Sequence, residues 1–214
     1  METCPNYVRL PRVMRDIPSS YIQCGNTDAN LREIIENQLD SEGIFGKDIR
    51  SREIGRHSEY YNKPAKYSVY YNRANNGDDY FICYESLDKV ALFGFIRLRI
   101  VDKENLQCMK VLNNKGLVRE LHVYSDTTRV GTSKARSCQH SGIGTKLLLL
   151  AEKITMKRGL YGIVVISGEG VKKYYEKRGY SDHQTFMVKK FFAIKVWVYI
   201  LFAFFERMAY FLKK

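Results

Sequence analysis

The sequence predicts a mixed α/β (α+β) domain, a central sheet flanked by helices. Three observations carry the prediction. Strand-like stretches crowd residues 66–124, a strong helical pattern follows a Gly-x-Gly turn at 142–144, and an apolar β-run, a short helix and a last strand come after it. A chain of 214 residues with 45 % hydrophobic side chains can bury a sizeable core, which excludes wholesale disorder.

Taken in order, Asp28 can cap a first helix that carries Leu31, Ile34, Ile35 and Leu39 at helical spacing, and Gly43 can end it. Strand patterns follow at 67–71 and 80–84, separated by the turn signal Asn75, Asn76, Gly77, Asp78, which reads as a hairpin. Residues 91–101 and 117–124 supply two more strands, and 127–138, rich in Thr, Ser, Gly and basic residues, reads as a loop. The helix expected at 145–158 aligns Leu147, Leu148, Ala151, Ile154 and Thr155 along one side. Residues 161–166 form an apolar β-run, 171–178 a short helix ended by Gly179, and 185–189 a last strand.

Cysteines stand at 4, 24, 83, 108 and 138, no two closer than twenty residues. That spacing excludes a zinc ribbon, a compact iron–sulfur loop and a short-spaced disulfide framework, and it reads as reduced thiols in an intracellular protein. No apolar signal peptide opens the chain, so secretion is not expected. The net charge of +12 gathers in the C-terminal half, with −1 over residues 1–65, +6 over 141–190 and +3 over 191–214. Such a bias suits a polyphosphate ligand, an RNA backbone or an anionic membrane, and equally a solvated lysine-rich surface.

Gln139-His140-Ser141-Gly142-Ile143-Gly144, directly before a helix, points to an anion site. The first-turn N–H groups of a helix lack intrahelical partners and the macrodipole adds about half a positive charge there. Glycine at 142 and 144 lets a phosphate approach the backbone. Two glycines in an ordinary tight turn remain the alternative. A dinucleotide fold is a weaker reading, because G-x-G-x-x-G is missing, and a P-loop fails, because no Gly-Lys-Ser/Thr occurs.

These residues belong to a larger pattern. Leu117-Val118-Arg119-Glu120-Leu121-His122-Val123-Tyr124, the Gln139–Gly144 turn, Val165-Ile166-Ser167-Gly168 and Lys173-Tyr174-Tyr175-Glu176-Lys177-Arg178-Gly179-Tyr180 resemble the acetyltransferase half of the catalytic third subunit of Elongator. Tyr7-Val8-Arg9, Arg15-Asp16-Ile17-Pro18, Asn30-Leu31-Arg32-Glu33 and Asp48-Ile49-Arg50-Ser51-Arg52-Glu53 resemble that family's lead-in, so the likeness covers roughly residues 4–189. It implies the GNAT acyl-CoA N-acyltransferase fold over 66–189, with 1–65 as a linker and 190–214 as a hydrophobic tail.

The resemblance also implies roles. Acetyl-CoA would lie along the backbone of Glu120, Leu121, His122 and Val123, with its pyrophosphate on Gln139, Gly142, Ile143, Gly144 and Thr145 and its thioester near Tyr175. Tyr175, Tyr174 and Glu120 are then the catalytic candidates, Tyr175 as proton donor to the leaving thiolate and Glu120 as general base. The plainer alternatives are core aromatics at 174 and 175, a salt bridge from Glu120 to Arg119, Arg97 or Arg99, and a packed His122. Lys172, Lys173, Lys177 and Arg178 are candidate tRNA contacts, or else solvate a helix or meet a phosphate of CoA.

In the family, the two halves install a carboxymethyl-type group on the wobble uridine of tRNA. The radical-SAM half, with its three-cysteine iron–sulfur motif and S-adenosylmethionine site, has no counterpart in this sequence. The implied role is thus the acetyl-CoA-binding and hydrolysis or transfer step, with tRNA and Elongator-like subunits as partners, in the cytoplasm or nucleus. The alternatives are a stand-alone lysine (histone) N-acetyltransferase and a non-catalytic, membrane-tethered acetyl-CoA-binding module.

Residues 191–212 depart from the family pattern and are apolar except for Lys195, Glu206 and Arg207. As a helix they would extend about 33 Å, enough to cross a bilayer core. The expectation is a C-terminal apolar helix that anchors the chain to an intracellular membrane, lies on its surface, or packs on a partner.

Overall fold

The computed structural model describes residues 1–13, 17–28, 30–102, 109–124 and 142–211. Seven strands form one sheet: β1 (Ala65–Arg73), β2 (Gly77–Ser86), β3 (Leu92–Val101), β4 (Lys115–Val123), β5 (Gly162–Ile166), β6 (Ser181–His183) and β7 (Phe186–Lys190), in the order β1-β2-β3-β4-β5-β7-β6. The helices are α1 (Leu31–Ser41), α2 (Ile143–Lys157), α3 (Lys172–Glu176) and α4 (Ala193–Phe211). Two compact units share these elements, one built on residues 1–66 and 85–93, the other on 67–84, 94–123 and the residues from 142 onward.

The first unit buries Ile49, Ile54, Ala91 and Leu92 completely and adds a set of polar pairs. Arg32 of α1 donates to Glu36 at 2.8 Å and to buried Asp48 at 3.0 Å, and Ser51 donates to Asp48 at 2.6 Å. Arg52 and Glu85 form an ion pair that is almost wholly buried, and Arg52 also donates to the Lys89 carbonyl at 2.8 Å. Helix α1 itself buries no residue completely.

In the second unit the β1–β2 hairpin turns as its sequence demands. Asn75 and Asn76 both take positive φ, 46° and 57°, which Asn tolerates best among the non-glycine residues. Strands β3 and β4 pair antiparallel, β4 and β5 parallel, and β5, β7 and β6 antiparallel. A parallel neighbour requires a crossover, and α2 supplies it. Leu147, Leu148, Ala151 and Met156 of α2 are buried, as are Ile96, Leu98 and Val118 of β3 and β4 and Ile163, Val164 and Val165 of β5. Each large aliphatic side chain so buried contributes about 1.5–3 kcal/mol. Strand β6 was not legible in the sequence: its three residues are all exposed and show no apolar alternation.

The C-terminal segment folds as α4 and packs on α2. Val196 is buried, Ile200 reaches Gly159, and Glu206 pairs with Lys157 at 2.7 Å. Trp197, Leu201, Phe202, Phe204 and Phe205 are exposed. Among the described residues no helix is long and apolar enough to cross a membrane, so the spanning anchor expected at 191–212 finds no support. Three charges within α4 account for this: Lys195, Glu206 and Arg207.

Candidate functional site

The site begins with an irregularity in β4. Arg97 of β3 stands opposite Glu120, but Leu98 stands opposite Val118, so Arg119 is an extra residue on β4. A bulge of this kind inverts the alternation of side chains. Before it, Gly116 faces α2 so closely that a Cβ there would fall 2.8 Å from Thr155 Oγ1. After it, the odd-numbered residues take over that face, and Val123 Cγ2 lies 3.3 Å from where a Cβ on Gly144 would stand. Beyond Val118 the parallel register with β5 has ended, while β4 continues to Val123. A cleft of about 550 Å³ opens there, lined by Leu121, Val123, Gly142, Gly144, Thr145, Tyr174, Tyr175 and Arg178, together with Val171.

Helix α2 meets the cleft with its N-terminus. Gly142 caps it at φ 76°, a left-handed conformation that favours glycine, and among the described residues no atom lies within 4 Å of where a Cβ would stand. Gly144 is needed for a different reason: a Cβ there would stand 2.9 Å from Tyr174 Oη. That hydroxyl is buried and makes no hydrogen bond among the described residues. Tyr175 is buried behind it, with its ring edge-on to Tyr174 at 5.1 Å and to Tyr180 at 5.7 Å. Burial, reinforced by neighbouring Tyr174, pushes the Tyr175 phenol up to about 12, so it stays neutral across the physiological range.

Glu120 and His122 occupy the other face of β4. Glu120 forms an ion pair with Arg97, whose guanidinium also lies over the rings of Phe81 and Phe95. His122 Nε2 stands 3.4 Å from the Glu120 carboxylate, and its ring lies against Phe95 at 5.3 Å. The hydrogen bond from His122, and then the charge of Arg97, outweigh partial burial and hold Glu120 below the usual carboxylate range.

Of the residues expected to act together, Leu121, Val123, Gly142, Gly144, Thr145, Tyr174 and Tyr175 do share one cleft. Ile143 is buried at the start of α2. Gln139 lies outside the described residues. The side chains of Glu120 and His122 leave the cleft, and Glu120 takes the salt bridge to Arg97 that was its alternative. The expected basic cluster also divides. Lys173 and Lys177 are exposed, whereas Lys172 is tied to Glu169 at 2.7 Å and Asp182 at 2.8 Å, and Arg178 turns into the cleft. Helical spacing set four basic residues near each other but said nothing of Glu169 or of Asp182 on β6.

Residues 47–180 match the Acetyltransferase (GNAT) family. The chain belongs to that family. With it comes the acyltransferase class of enzyme. Elongator complex protein 3 of Bos taurus is 36 % identical over 190 residues, covering 86 % of this chain and 34 % of its own. The tRNA uridine(34) acetyltransferase of Dehalococcoides mccartyi is 36 % identical over 194 residues, covering 86 % of this chain and 41 % of its own. Among solved structures, the archaeal Methanocaldococcus infernus Elp3 with an N-terminal deletion superposes with a TM-score of 0.75 at 32 % identity, over 88 % of this chain and 46 % of its own. The chain thus spans between a third and a half of the length of these relatives.

Proposed function

We propose that this chain binds acetyl-CoA and transfers or hydrolyses its acetyl group, as the acetyltransferase part of an Elongator-type modification of the tRNA wobble uridine. The observation that carries the reading is the cleft where α2 presents Gly142, Gly144 and Thr145 beside the part of β4 that outruns its pairing with β5. The residues present fit the cofactor. The glycine at 142, where no described residue crowds the Cβ position, and the first-turn N–H groups of α2 suit a pyrophosphate, and the backbone of Glu120, Leu121, His122 and Val123 suits an extended pantetheine arm. Bound there, acetyl-CoA would supply an activated acetyl thioester.

The chain's own residues then orient and protonate. Tyr175, neutral and buried at the cleft wall, would donate a hydrogen bond to the leaving thiolate, and Tyr174, whose hydroxyl has no partner among the described residues, would line the same wall. Glu120, paired and held ionised, orients His122 and Arg97 on the acceptor side and is a poor general base. The tRNA role draws on the similarity to the tRNA uridine(34) acetyltransferase and Elongator proteins, and exposed Lys173 and Lys177 are the proposed contacts with it.

Calorimetry with acetyl-CoA tests the reading, using the wild type against Gly144→Asp, whose carboxylate would crowd Tyr174 and repel the pyrophosphate. Equal binding by both proteins would sink the placement. Thioester hydrolysis measured with and without tRNA distinguishes turnover from a binding module, and acetylation of a histone-tail peptide would point instead to a lysine acceptor.

A further inference from the structure

Helix α4 carries two apolar stripes, and α2 covers one of them. Val196, Ile200 and Ala203 recur at steps of four and three; Val196 is buried and Ile200 reaches Gly159, just past the end of α2. On the other side Ile194, Val198, Leu201, Phe205 and Met208 repeat the same spacing over two heptads, each between 43 % and 81 % exposed. Trp197, Phe202 and Phe204 flank that stripe and are exposed as well. A helix that is apolar all round belongs in an interior. A strict stripe at steps of four and three is the seam along which a second helix packs.

The size and the charges of this face fit a second copy of the chain. Its large apolar side chains, each about half exposed, present roughly 800 Å² to solvent, at about 150–200 Å² for a whole side chain. A stable interface removes about 800 Å² from each partner. None of these side chains is charged, as in the core of a homodimer interface. Lys195 and Glu206 are separated by about three helical turns, so they share one edge of the seam. Leu201 lies midway between them. A two-fold axis at Leu201 that sets two α4 helices antiparallel therefore brings Lys195 of each copy beside Glu206 of the other. Glu206 already accepts from Lys157 at 2.7 Å but keeps 64 % of its side chain exposed, and Lys195 is exposed. The same axis sets Ile194 against Met208 and Leu201 against itself, so the surface is its own complement. A lipid surface fits less well. A helix lying in a bilayer interface backs its apolar face with a strongly charged one, whereas α4 spends that side on α2.

We propose that α4 joins two copies of this chain as an antiparallel pair about Leu201. The helix lies beyond residues 47–180, which match the acetyltransferase family, and none of its residues lines the cleft. The pairing therefore does not rest on the acetyl-CoA reading.

Sedimentation equilibrium of the full chain, without detergent, should show a dimer of roughly micromolar or tighter affinity. Leu201→Glu sets like charges face to face at the axis and should weaken that dimer at least about 100-fold. Because Leu201 is exposed, the helix content of this variant by circular dichroism should match that of wild type. Lys195→Glu and Glu206→Lys should each weaken the dimer about 3- to 30-fold, and the double variant Lys195→Glu/Glu206→Lys should restore it. Should α4 unravel in Leu201→Glu, this charge exchange carries the test by itself. A chain that stays monomeric at about 100 μM, well above the expected range, overturns the proposal. A dimer that Leu201→Glu leaves intact overturns it too, as do open assemblies that grow with concentration. A double variant no tighter than either single one refutes the antiparallel pair. A monomeric wild type that floats with vesicles of anionic phospholipid would give the face to a lipid surface instead.

Discussion

Gly144→Ala isolates the close approach on which the cleft depends. The φ of Gly144 lies outside the left-handed region, so alanine is allowed by the backbone and would gain about 1 kcal/mol of helix propensity. Its Cβ, however, would stand 2.9 Å from Tyr174 Oη and 3.3 Å from Val123 Cγ2. Tyr174 has little room to retreat, with Arg178 stacked on its ring and Tyr175 edge-on to it. Overpacking of this kind costs about 1–3 kcal/mol, so the net effect is a loss of about 0–2 kcal/mol. For a chain of this length that corresponds to a fall of about 0–8 °C in Tm. Cofactor affinity should fall more clearly, by about tenfold, because the wall that moves is the cleft wall. Tyr174→Phe removes the atom in the shorter contact, so the double variant Gly144→Ala/Tyr174→Phe should regain most of the lost affinity. The assay is thermal unfolding together with calorimetric titration of acetyl-CoA across all four proteins of the cycle. An alanine variant that binds as well as wild type would refute the geometry, and so would a cycle in which the two substitutions simply add.

Tyr175→Phe should leave acetyl-CoA affinity near that of wild type and lower turnover by about 100-fold, read by steady-state thioester cleavage. Because the Tyr175 phenol is raised from 10.0 to about 12 in the fold, the native state holds its proton over a window where the unfolded chain has lost it. Stability should therefore fall from about pH 10 towards pH 12, and Tyr175→Phe should flatten part of that decline in alkaline melts. Glu120 shows the opposite sign: its lowered folded value contributes stability above 4.5 that is lost as the pH falls through the folded value. Glu120→Gln should then cost about 0.2–1 kcal/mol at pH 7, shrinking in denaturant titrations carried below pH 4.5, and a constant gap would refute the linkage. Arg52→Met should destabilise the chain by about 3–5 kcal/mol by removing the charge that pairs with the buried Glu85 carboxylate, whereas Arg52→Met/Glu85→Leu should recover much of the loss in urea unfolding.

Much of the site was legible because its signals are local. Asn75 and Asn76 announce their turn by the conformations that only a few residue types accept. Gly142 and Gly144, set at the start of an amphipathic run, mark a helix N-terminus, and the β-run before Tyr174 and Tyr175 sets them beside it in the same cleft. In each case the cause acts within a few residues, so the order of letters carries it.

What lay beyond the sequence depends on partners distant along the chain. The bulge at Arg119 is a property of the β3–β4 register rather than of β4 alone, and by adding one residue it turns Glu120 and His122 away from α2 while aiming Leu121 and Val123 at the cleft. No pattern within 117–124 reports that inversion, because alternation read along one strand assumes an unbroken ladder. Lys172 and Arg178 are six residues apart, yet one is neutralised by Asp182 of β6 and the other is pinned to Thr145 of α2. The sequence by itself determined which residues could build a glycine-capped helix start beside a tyrosine pair. Only the tertiary structure decided which face each side chain occupies and which charges stay available, because pairing register and long-range ion pairs arise between segments that meet only when the chain has folded.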